Sequence, residues 1–227
     1  MNGSPPPLRC VIFDIDGTLT RTNELIFASF NHVALKYLGR RFAPEEIVAL
    51  FGPPEEGAVV KVFGAGNVAR VMDELLAYYA SHHAALASLH GGMDQILVTL
   101  KERGVRLAVF TGKGRRTTAI TLDALNLTAY FDLIVSGNDV ENHKPHPEGI
   151  LRILETFAIP PAEALMVGDS MNDLRAARGA GVRIAAVLWD CYDCTRVREA
   201  NPDLVFDRTD QLLRWFQDQR TTAASST

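Results

Sequence analysis

The sequence lacks an apolar run long enough to cross a membrane, an excess of positive charge and a rich supply of cysteine. Crossing a bilayer takes about 20 consecutive apolar residues, and no run in the 227 residues approaches that length. The net charge of −4 offers no basic surface of the kind that binds nucleic acid. We therefore expect no membrane span and no nucleic-acid partner.

Cysteine is scarce and odd in number, with three residues in the chain. This count does not make a disulfide framework, and the N-terminus shows neither the charged nor the apolar region of a secretory signal. We therefore expect a protein of the reducing cytoplasm. Cys191 and Cys194 form a C-x-x-C pair without evident further zinc ligands or a thioredoxin-like unit, so we interpret them as unpaired thiols in a surface loop.

Short apolar runs rich in β-branched residues alternate with amphipathic helical patterns along most of the chain. This order is typical of an α/β protein whose parallel sheet is covered on both faces. The predicted strands are 10–13, 106–110, 132–135, 164–167, 183–187 and 203–206. The predicted helices among them are 92–103, 115–125, 147–157, 172–180 and 209–217.

One interval, from about residue 20 to 89, contains helical patterns and no strand signal. Helices are predicted at 24–38, 44–50, 55–63 and 67–86. A crossover between parallel strands needs only about a dozen residues, so we expect this interval to form a separate helical domain. The predicted division is then a discontinuous core, 1–19 with 90–227, and a helical insert, 20–89.

Residues that can do chemistry directly follow the first, second and fourth predicted strands and come within the connection after the third. In an open parallel sheet, ligands bind beyond the carboxyl ends of the strands. The residues are Asp14 and Asp16 after the first strand, Thr111 and Gly112 after the second, Lys144 after the third, and Asp169 and Asp173 after the fourth. The sequence therefore predicts one site at this edge of the sheet.

The donors at this edge favour phosphate chemistry with a hard cation. Clustered carboxylates and strand-end carbonyls suit Mg²⁺, whereas Thr111, the amide groups that follow it and Lys144 suit phosphoryl oxygens. Asp14 can then attack phosphorus, and Asp16 can give a proton to the leaving oxygen. The Asp-x-Asp-Gly pattern alone also occurs in Ca²⁺ loops, but Leu19 and Leu25 stand where an EF-hand needs Gly and Glu.

Four segments together resemble the motifs of the haloacid-dehalogenase-like (HAD) phosphohydrolase superfamily. They read Phe13-Asp14-Ile15-Asp16-Gly17-Thr18, Thr111-Gly112, Lys144-Pro145 and Gly168-Asp169-Ser170-Met171-Asn172-Asp173. The resemblance implies a Rossmann-like parallel sheet core with a helical cap inserted after the first motif. The segments TNELIFASFN and LFGPP are most similar to phosphoglycolate phosphatases and related pyrophosphatases.

The resemblance also implies roles for the residues at this edge. Asp14 would be the nucleophile that becomes an aspartyl-phosphate, and Asp16 the general acid and base. Mg²⁺ would be held by the Asp14 carboxylate, the Asp16 backbone carbonyl and Asp169. The phosphoryl group would be bound by Thr111, Gly112 and Lys144, while Asp173 would orient Lys144 or water ligands of the metal.

Other chemistries within and beyond this superfamily fit less well. Dehalogenating members carry no second aspartate, so Asp16 argues against that activity. Phosphonate-cleaving members need a cap lysine, and nothing marks Lys36 or Lys61 for that role. A phosphosugar mutase uses the same core residues and stays open. A phospho-accepting receiver module carries its acceptor on a middle strand and has no insert of about 70 residues.

The insert should select the substrate by closing over the site. Asn23, Glu24 and the loop Gly52-Pro53-Pro54 are expected to face inward, whereas Glu55 and Glu56 are interpreted as a solvated helix start. The linker Ser-Leu-His-Gly-Gly before the next helix departs from the Tyr-Pro-Gly-like stretch of relatives. Because the insert has no dense basic cluster, we expect a small phosphate such as phosphoglycolate, a sugar phosphate or pyrophosphate.

Overall fold

The computed structural model describes residues 6–219, so both outer ends of the predicted core, 1–5 and 220–227, lie outside the described residues. Its main sheet has six parallel strands in the order β5-β4-β1-β6-β7-β8. The strands are β1 (Cys10–Phe13), β4 (Arg106–Phe110), β5 (Leu133–Val135), β6 (Ala164–Gly168), β7 (Arg183–Val187) and β8 (Leu204–Phe206). The predicted α/β class with a parallel, Rossmann-like sheet is confirmed.

Helices cover both faces of this sheet because alternate side chains of each strand point to opposite sides. The helices of this part are α5 (Met93–Glu102), α6 (Arg115–Ala124), α7 (Glu148–Phe157), α8 (Met171–Gly179), α9 (Cys194–Glu199) and α10 (Thr209–Asp218). Val11 and Phe13 pack in the apolar cluster that includes α5 and α10, whereas Cys10 and Ile12 pack in the cluster that includes α7 and α8. The central strand β1 is thus buried on both faces.

Between β1 and α5 the chain forms four α-helices with an apolar cluster of their own. They are α1 (Asn23–Leu38), α2 (Pro44–Val48), α3 (Glu55–Phe63) and α4 (Val68–Leu86). Phe30 of α1, Val59 of α3 and Tyr79 of α4 are all buried in this cluster. The division of the chain into a core and a cap at residues 19 and 90 stays a prediction that this packing supports.

Two very short strands stand where the insert leaves and rejoins the core, in the interval predicted to hold none. They are β2 (Thr20–Arg21) and β3 (Ser88–Leu89), which pair antiparallel as a separate two-stranded sheet. Strands of two residues show no alternation, and their pairing joins segments distant in sequence. That prediction was therefore wrong at the ends of the interval.

The Cys191–Cys194 segment was predicted as a surface loop, but its last residue begins a helix. Both cysteines are unpaired, as expected, but Cys194 begins α9 and both thiols are partly buried. The Asp193 side chain accepts a hydrogen bond from the backbone N–H of Arg196 and caps this short helix. Among the helices of residues 6–219, none combines the length and hydrophobicity needed to span a bilayer.

Candidate active site

The end of β1 delivers Asp14 to the edge of the sheet where the parallel strands finish. Its backbone N–H donates to the Val167 carbonyl at 3.0 Å and so extends the pairing with β6. The chain then turns at Gly17, whose φ of 80° lies in the left-handed region. A side chain at Gly17 would also stand only 2.6 Å from an Asp169 oxygen. This position therefore requires glycine for both its backbone and its space.

Three carboxylates, one from the first motif and two from the fourth, meet at this edge. Carboxylate oxygens of Asp14, Asp169 and Asp173 all lie within 4.8 Å of one another. Lys144 inserts its Nζ between two of them, 2.8 Å from Asp14 Oδ1 and 2.6 Å from Asp173 Oδ1. Asp169 is held separately by Thr18, whose hydroxyl donates at 2.9 Å. These residues, which the sequence analysis expected at one edge of the sheet, do lie close together in the structure.

Burial and mutual repulsion shift the pKa values of this cluster. Burial raises the pKa of Asp14 to about 6, with Lys144 opposing and Asp173 and Asp16 reinforcing the shift. Burial also raises the pKa of Asp169, reinforced by Asp173 and Asp14. At Lys144 burial disfavours the charge, but the two aspartates outweigh it and raise the pKa. Negative charge is therefore in excess here.

This excess fits a divalent cation. Three carboxylates against one ammonium leave two negative charges uncompensated in a buried space. Oxygen donors of this kind suit hard cations. Asp14 and Asp169, two of the predicted metal ligands, belong to the cluster; the structure adds Asp173, and the predicted contribution of the Asp16 backbone carbonyl stays a prediction.

The Asp16 carboxylate is not part of this cluster and has partners of its own. It accepts a hydrogen bond of 2.5 Å from Thr22, and Lys113 Nζ lies 3.2 Å from each of its oxygens. Burial disfavours the charge of Lys113, but Asp16 and other neighbours outweigh it and raise the pKa. Asp16 therefore has its own cation, separate from Lys144.

Lys113 is the main residue of the site that the motif analysis did not assign. It follows Thr111-Gly112 immediately, and its side chain is only 1% exposed. A lysine two residues beyond a strand-end threonine was the available signal, but lysines in loops are usually solvated. Thr111 itself is buried, and its hydroxyl accepts a hydrogen bond from the Lys113 N–H at 3.2 Å.

Glu55 corrects a second expectation, because it is not a solvated helix start. Its side chain is 14% exposed and reaches from α3 to the start of α6. There it accepts hydrogen bonds from the Gly114 N–H and the Thr117 hydroxyl, both at 2.7 Å. Acidic residues are favoured in the first turn of a helix whether they are solvated or buried. The sequence pattern therefore did not distinguish a solvated Glu55 from a buried one. Glu56 forms an ion pair with Arg116 at 3.4 Å, and its side chain is 32% exposed.

A cavity of about 400 Å³ lies between the carboxylate edge and the insert. Asp14, Asp16, Thr111, Gly112, Lys144 and Asp169 line its core side. Apolar side chains line its opposite side, among them Ile26, Phe30, Val48, Leu50 and Phe51. The predicted residues Asn23, Gly52 and Pro53 also line it, whereas Glu24 is exposed on α1 and does not.

The loop before α9 contributes to the same cavity. Tyr192 lines it and packs against two aromatic rings of the insert, with ring centroids 5.9 Å from Phe27 and 6.2 Å from Phe51. Arg196 of α9 lines the cavity as well. The C-x-x-C segment is therefore part of the cavity wall rather than a remote surface loop.

The fold and the carboxylate edge define a class: α/β enzymes that place acidic residues at the ends of parallel strands beneath a helical insert. A family model described as haloacid dehalogenase-like hydrolase matches residues 11–187. The chain belongs to this family. The residues matched include every site residue predicted from the four motifs.

Individual relatives agree with this assignment over most of their length. The pyrophosphatase PpaX of Bacillus cereus is 32% identical over 206 residues, which are 91% of this chain and 95% of that protein. Among solved structures, a predicted phosphoglycolate phosphatase from Haemophilus somnus gives a TM-score of 0.79 at 25% identity, covering 92% of this chain and 97% of that one. CbbY from Rhodobacter sphaeroides, solved in complex with phosphate, gives a TM-score of 0.79 at 25% identity, covering 90% of this chain and 96% of that one.

The raised pKa of Asp14 predicts how pH affects the metal-free protein. Because the folded-state pKa of about 6 lies above the usual 3.8, the folded protein holds this proton more tightly than the unfolded chain. Stability from this proton is present at low pH and is lost as the pH rises through about 6. Ionised Asp14 therefore lowers the free energy of unfolding at neutral pH.

We expect Asp14→Asn to be more stable than the unmodified protein in chelator near neutral pH, by about 1–3 kcal/mol. The gain should shrink as the pH falls from about 6 towards 3.8, and a divalent cation should stabilise the unmodified protein more than the variant. Urea unfolding of both proteins over this pH range measures the difference in their free energies of unfolding. A variant that is less stable than the unmodified protein near neutral pH would contradict the electrostatic account.

Proposed function

We propose that this chain is a phosphatase that hydrolyses a small phosphate monoester by transferring the phosphoryl group to Asp14. The observation that carries the proposal is the placement of Asp14. Its carboxylate lines the cavity, 2.8 Å from the Lys144 ammonium and beside Asp169 and Asp173. Covalent transfer to a carboxylate divides one difficult hydrolysis into two easier steps.

We propose Mg²⁺ as the divalent cation, held by the carboxylates of Asp14 and Asp169 with the Asp16 carbonyl. Mg²⁺ prefers oxygen ligands and is commonly held by one or two carboxylates together with substrate phosphate. When bound, it would neutralise the charge that otherwise keeps an anionic nucleophile and an anionic substrate apart. Thr18 supports this arrangement because its hydroxyl orients Asp169 at 2.9 Å.

The remaining core residues are proposed to hold the phosphoryl group. Thr111 and the Gly112 amide lie at the cavity wall, and Lys144 supplies a buried positive charge there. Asp173 accepts from Lys144 at 2.6 Å and so fixes the direction of its ammonium. Asp173 thereby orients Lys144 rather than contacting substrate.

Asp16 is proposed as the acid that protonates the leaving oxygen and as the base that activates water afterwards. It lines the cavity beside Asp14 but is held by Thr22 and Lys113 rather than by Lys144. The two carboxylates of the opening motif therefore occupy different environments. Such a difference allows two neighbouring carboxyl groups to perform different tasks.

The proposed substrate is a small phosphorylated metabolite, selected by a cap formed by residues 20–89. A cavity of about 400 Å³ suits such a molecule, and the similar proteins include a predicted phosphoglycolate phosphatase and a pyrophosphatase. Inorganic pyrophosphate is the second candidate, favoured by the similarity to PpaX over 91% of the chain. A phosphosugar mutase would use the same core residues and is the third candidate.

We propose that the protein acts in the cytoplasm, because partly buried free thiols suit a reducing compartment.

Asp14→Asn tests the nucleophile. We expect turnover of p-nitrophenyl phosphate with Mg²⁺ to fall by about a thousandfold or more, because the attacking oxygen is lost. Acid-quenched mass spectrometry should find a phosphorylated Asp14 peptide in the unmodified protein alone. Asp94→Asn, an exposed acid on α5, is the control and should keep full activity. Normal turnover by Asp14→Asn would refute the mechanism.

Asp16→Asn tests the acid. Formation of the aspartyl-phosphate from an alkyl phosphate should slow by about 10²–10⁴-fold, the usual contribution of general acid catalysis. Transfer from p-nitrophenyl phosphate should slow much less, because p-nitrophenolate leaves without a proton. Single-turnover kinetics isolate this step from the later hydrolysis. Equal losses with both esters would count against Asp16 as the acid.

A panel of phosphate metabolites tests the substrate class. With Mg²⁺, we expect kcat/KM to be highest for a small monoester such as phosphoglycolate or a sugar phosphate, because discrimination comes from cap contacts that strengthen in the transition state. A clear preference for pyrophosphate would select the second candidate, and isomerisation without phosphate release would identify a mutase. Preference for phosphoprotein or nucleic acid over every small metabolite would refute the class.

A further inference from the structure

Glu55 connects the insert to the core at the wall of the cavity. It stands in the first turn of α3, yet both its carboxylate oxygens bind groups at the start of α6. One oxygen accepts from the Gly114 N–H at 2.7 Å and the other from the Thr117 hydroxyl at 2.7 Å. Free N–H groups at a helix start favour an anion, so this contact attracts the insert to the core.

The same carboxylate shares a cation with Asp16. Lys113 Nζ lies 4.0 Å from a Glu55 oxygen and 3.2 Å from both Asp16 oxygens. The ammonium also lies over the Tyr79 ring of α4, 4.7 Å from its centroid. Because the Lys113 side chain is 1% exposed, these protein groups fix its position, with little help from water.

Glu55 is thus one end of a connected row of charges that runs from the insert to Asp16. The row is Glu55, Lys113 and Asp16, alternating in sign, with its two ends on different parts of the molecule. Removing Glu55 would leave Asp16 as the one carboxylate paired with this buried ammonium among the described residues, so the charge that holds Lys113 from the side of the insert would be lost. The position of the insert and the orientation of Asp16 are therefore linked.

We propose that Glu55 is a positioning residue, which docks the insert onto α6 and, through Lys113, orients the Asp16 carboxylate towards the leaving group. This inference rests on the proposed function because it uses the role of Asp16 as acid. Docking the insert completes the arrangement for proton donation, so an undocked insert leaves Asp14 able to react but the leaving oxygen poorly protonated. The effect of removing Glu55 should then depend on the leaving group.

The neighbouring Glu56 provides a matched control. It occupies the same turn of α3, but its ion pair is with Arg116, whose side chain is 51% exposed. Exposed pairs of this kind contribute little. Glu56→Ala therefore removes an acidic side chain from the same turn without removing a hydrogen bond or ion pair of Gly114, Thr117 or Lys113.

The first measurement is hydrogen exchange at the Gly114 amide, which reports docking independently of turnover. In Glu55→Ala we expect this amide to exchange about tenfold faster or more, because its acceptor is lost. Glu55→Gln keeps a hydrogen-bond acceptor but loses the charge facing Lys113. Its Gly114 amide should therefore exchange faster than in the unmodified protein and more slowly than in Glu55→Ala. Glu56→Ala should match the unmodified protein.

The second measurement compares leaving groups in single-turnover transfer to Asp14. We expect Glu55→Ala to slow transfer from an alkyl phosphate by about tenfold or more, and transfer from p-nitrophenyl phosphate by about twofold or less, a fraction of the general acid effect. A merely structural role would slow both esters alike. Combining Glu55→Ala with Asp16→Asn should add no further loss for the alkyl ester, since both act through Asp16.

The proposal is overturned if Glu55→Ala and Glu56→Ala exchange alike at Gly114, or if Glu55→Ala slows both esters equally. It is also overturned if the two losses in the double variant multiply. Failure of the proposed function is a different result, namely absence of phosphoryl transfer to Asp14 in the unmodified protein. The exchange comparison still decides the docking contact in that case.

Discussion

A buried ammonium between two buried carboxylates is the interaction on which the rest of the site depends. Lys144 lies 2.8 Å from Asp14 and 2.6 Å from Asp173, and all three side chains are almost excluded from solvent. Removing the lysine would leave the carboxylates without their cation in the interior, which is far more costly than losing an exposed pair. The lysine thus allows acidic side chains to gather where we propose that a phosphoryl group and a cation bind.

The sheet explains why these side chains meet at all. Strand β1 lies between β4 and β6, so the residues after three adjacent parallel strands emerge at one edge. The N–H of Asp14 continues the pairing with β6, and the turn at Gly17 brings Thr18 back to Asp169. Backbone pairing therefore sets the distance between the motifs before any side-chain contact forms.

The insert packs on its own apolar cluster and meets the core largely through polar and aromatic groups. The Tyr79 hydroxyl of α4 is 2.8 Å from the Thr121 hydroxyl of α6, Glu55 binds the start of α6, and Tyr192 contacts two rings of the insert. Interfaces between domains of one chain are typically more polar than their cores, and relative motion across them is common. Such a surface is compatible with the proposed role of the insert as a cap over the cavity.

Most of the fold was predictable, because burial on both faces of a parallel strand leaves a continuous apolar run in the sequence. Strands β1, β4 and β7 match their predicted ranges, and the other three differ by a residue at one end. The same strand ends located Asp14, Thr111 and Asp169, since parallel strands of one sheet finish at one edge. Strands β2 and β3 were missed because two residues are too few to show the alternation of buried and exposed side chains that marks a strand.

Sequence by itself thus determined the sheet, the helical insert and the acidic edge, all of which follow from local periodicity and strand-end position. Only the tertiary structure decided which cation Asp16 faces and whether Glu55 is solvated or buried. Lys113 and Glu55 look like ordinary loop and first-turn residues in the sequence. Their roles depend on how the start of α3 docks against the start of α6. A contact between segments so distant in sequence leaves no periodic pattern in either one.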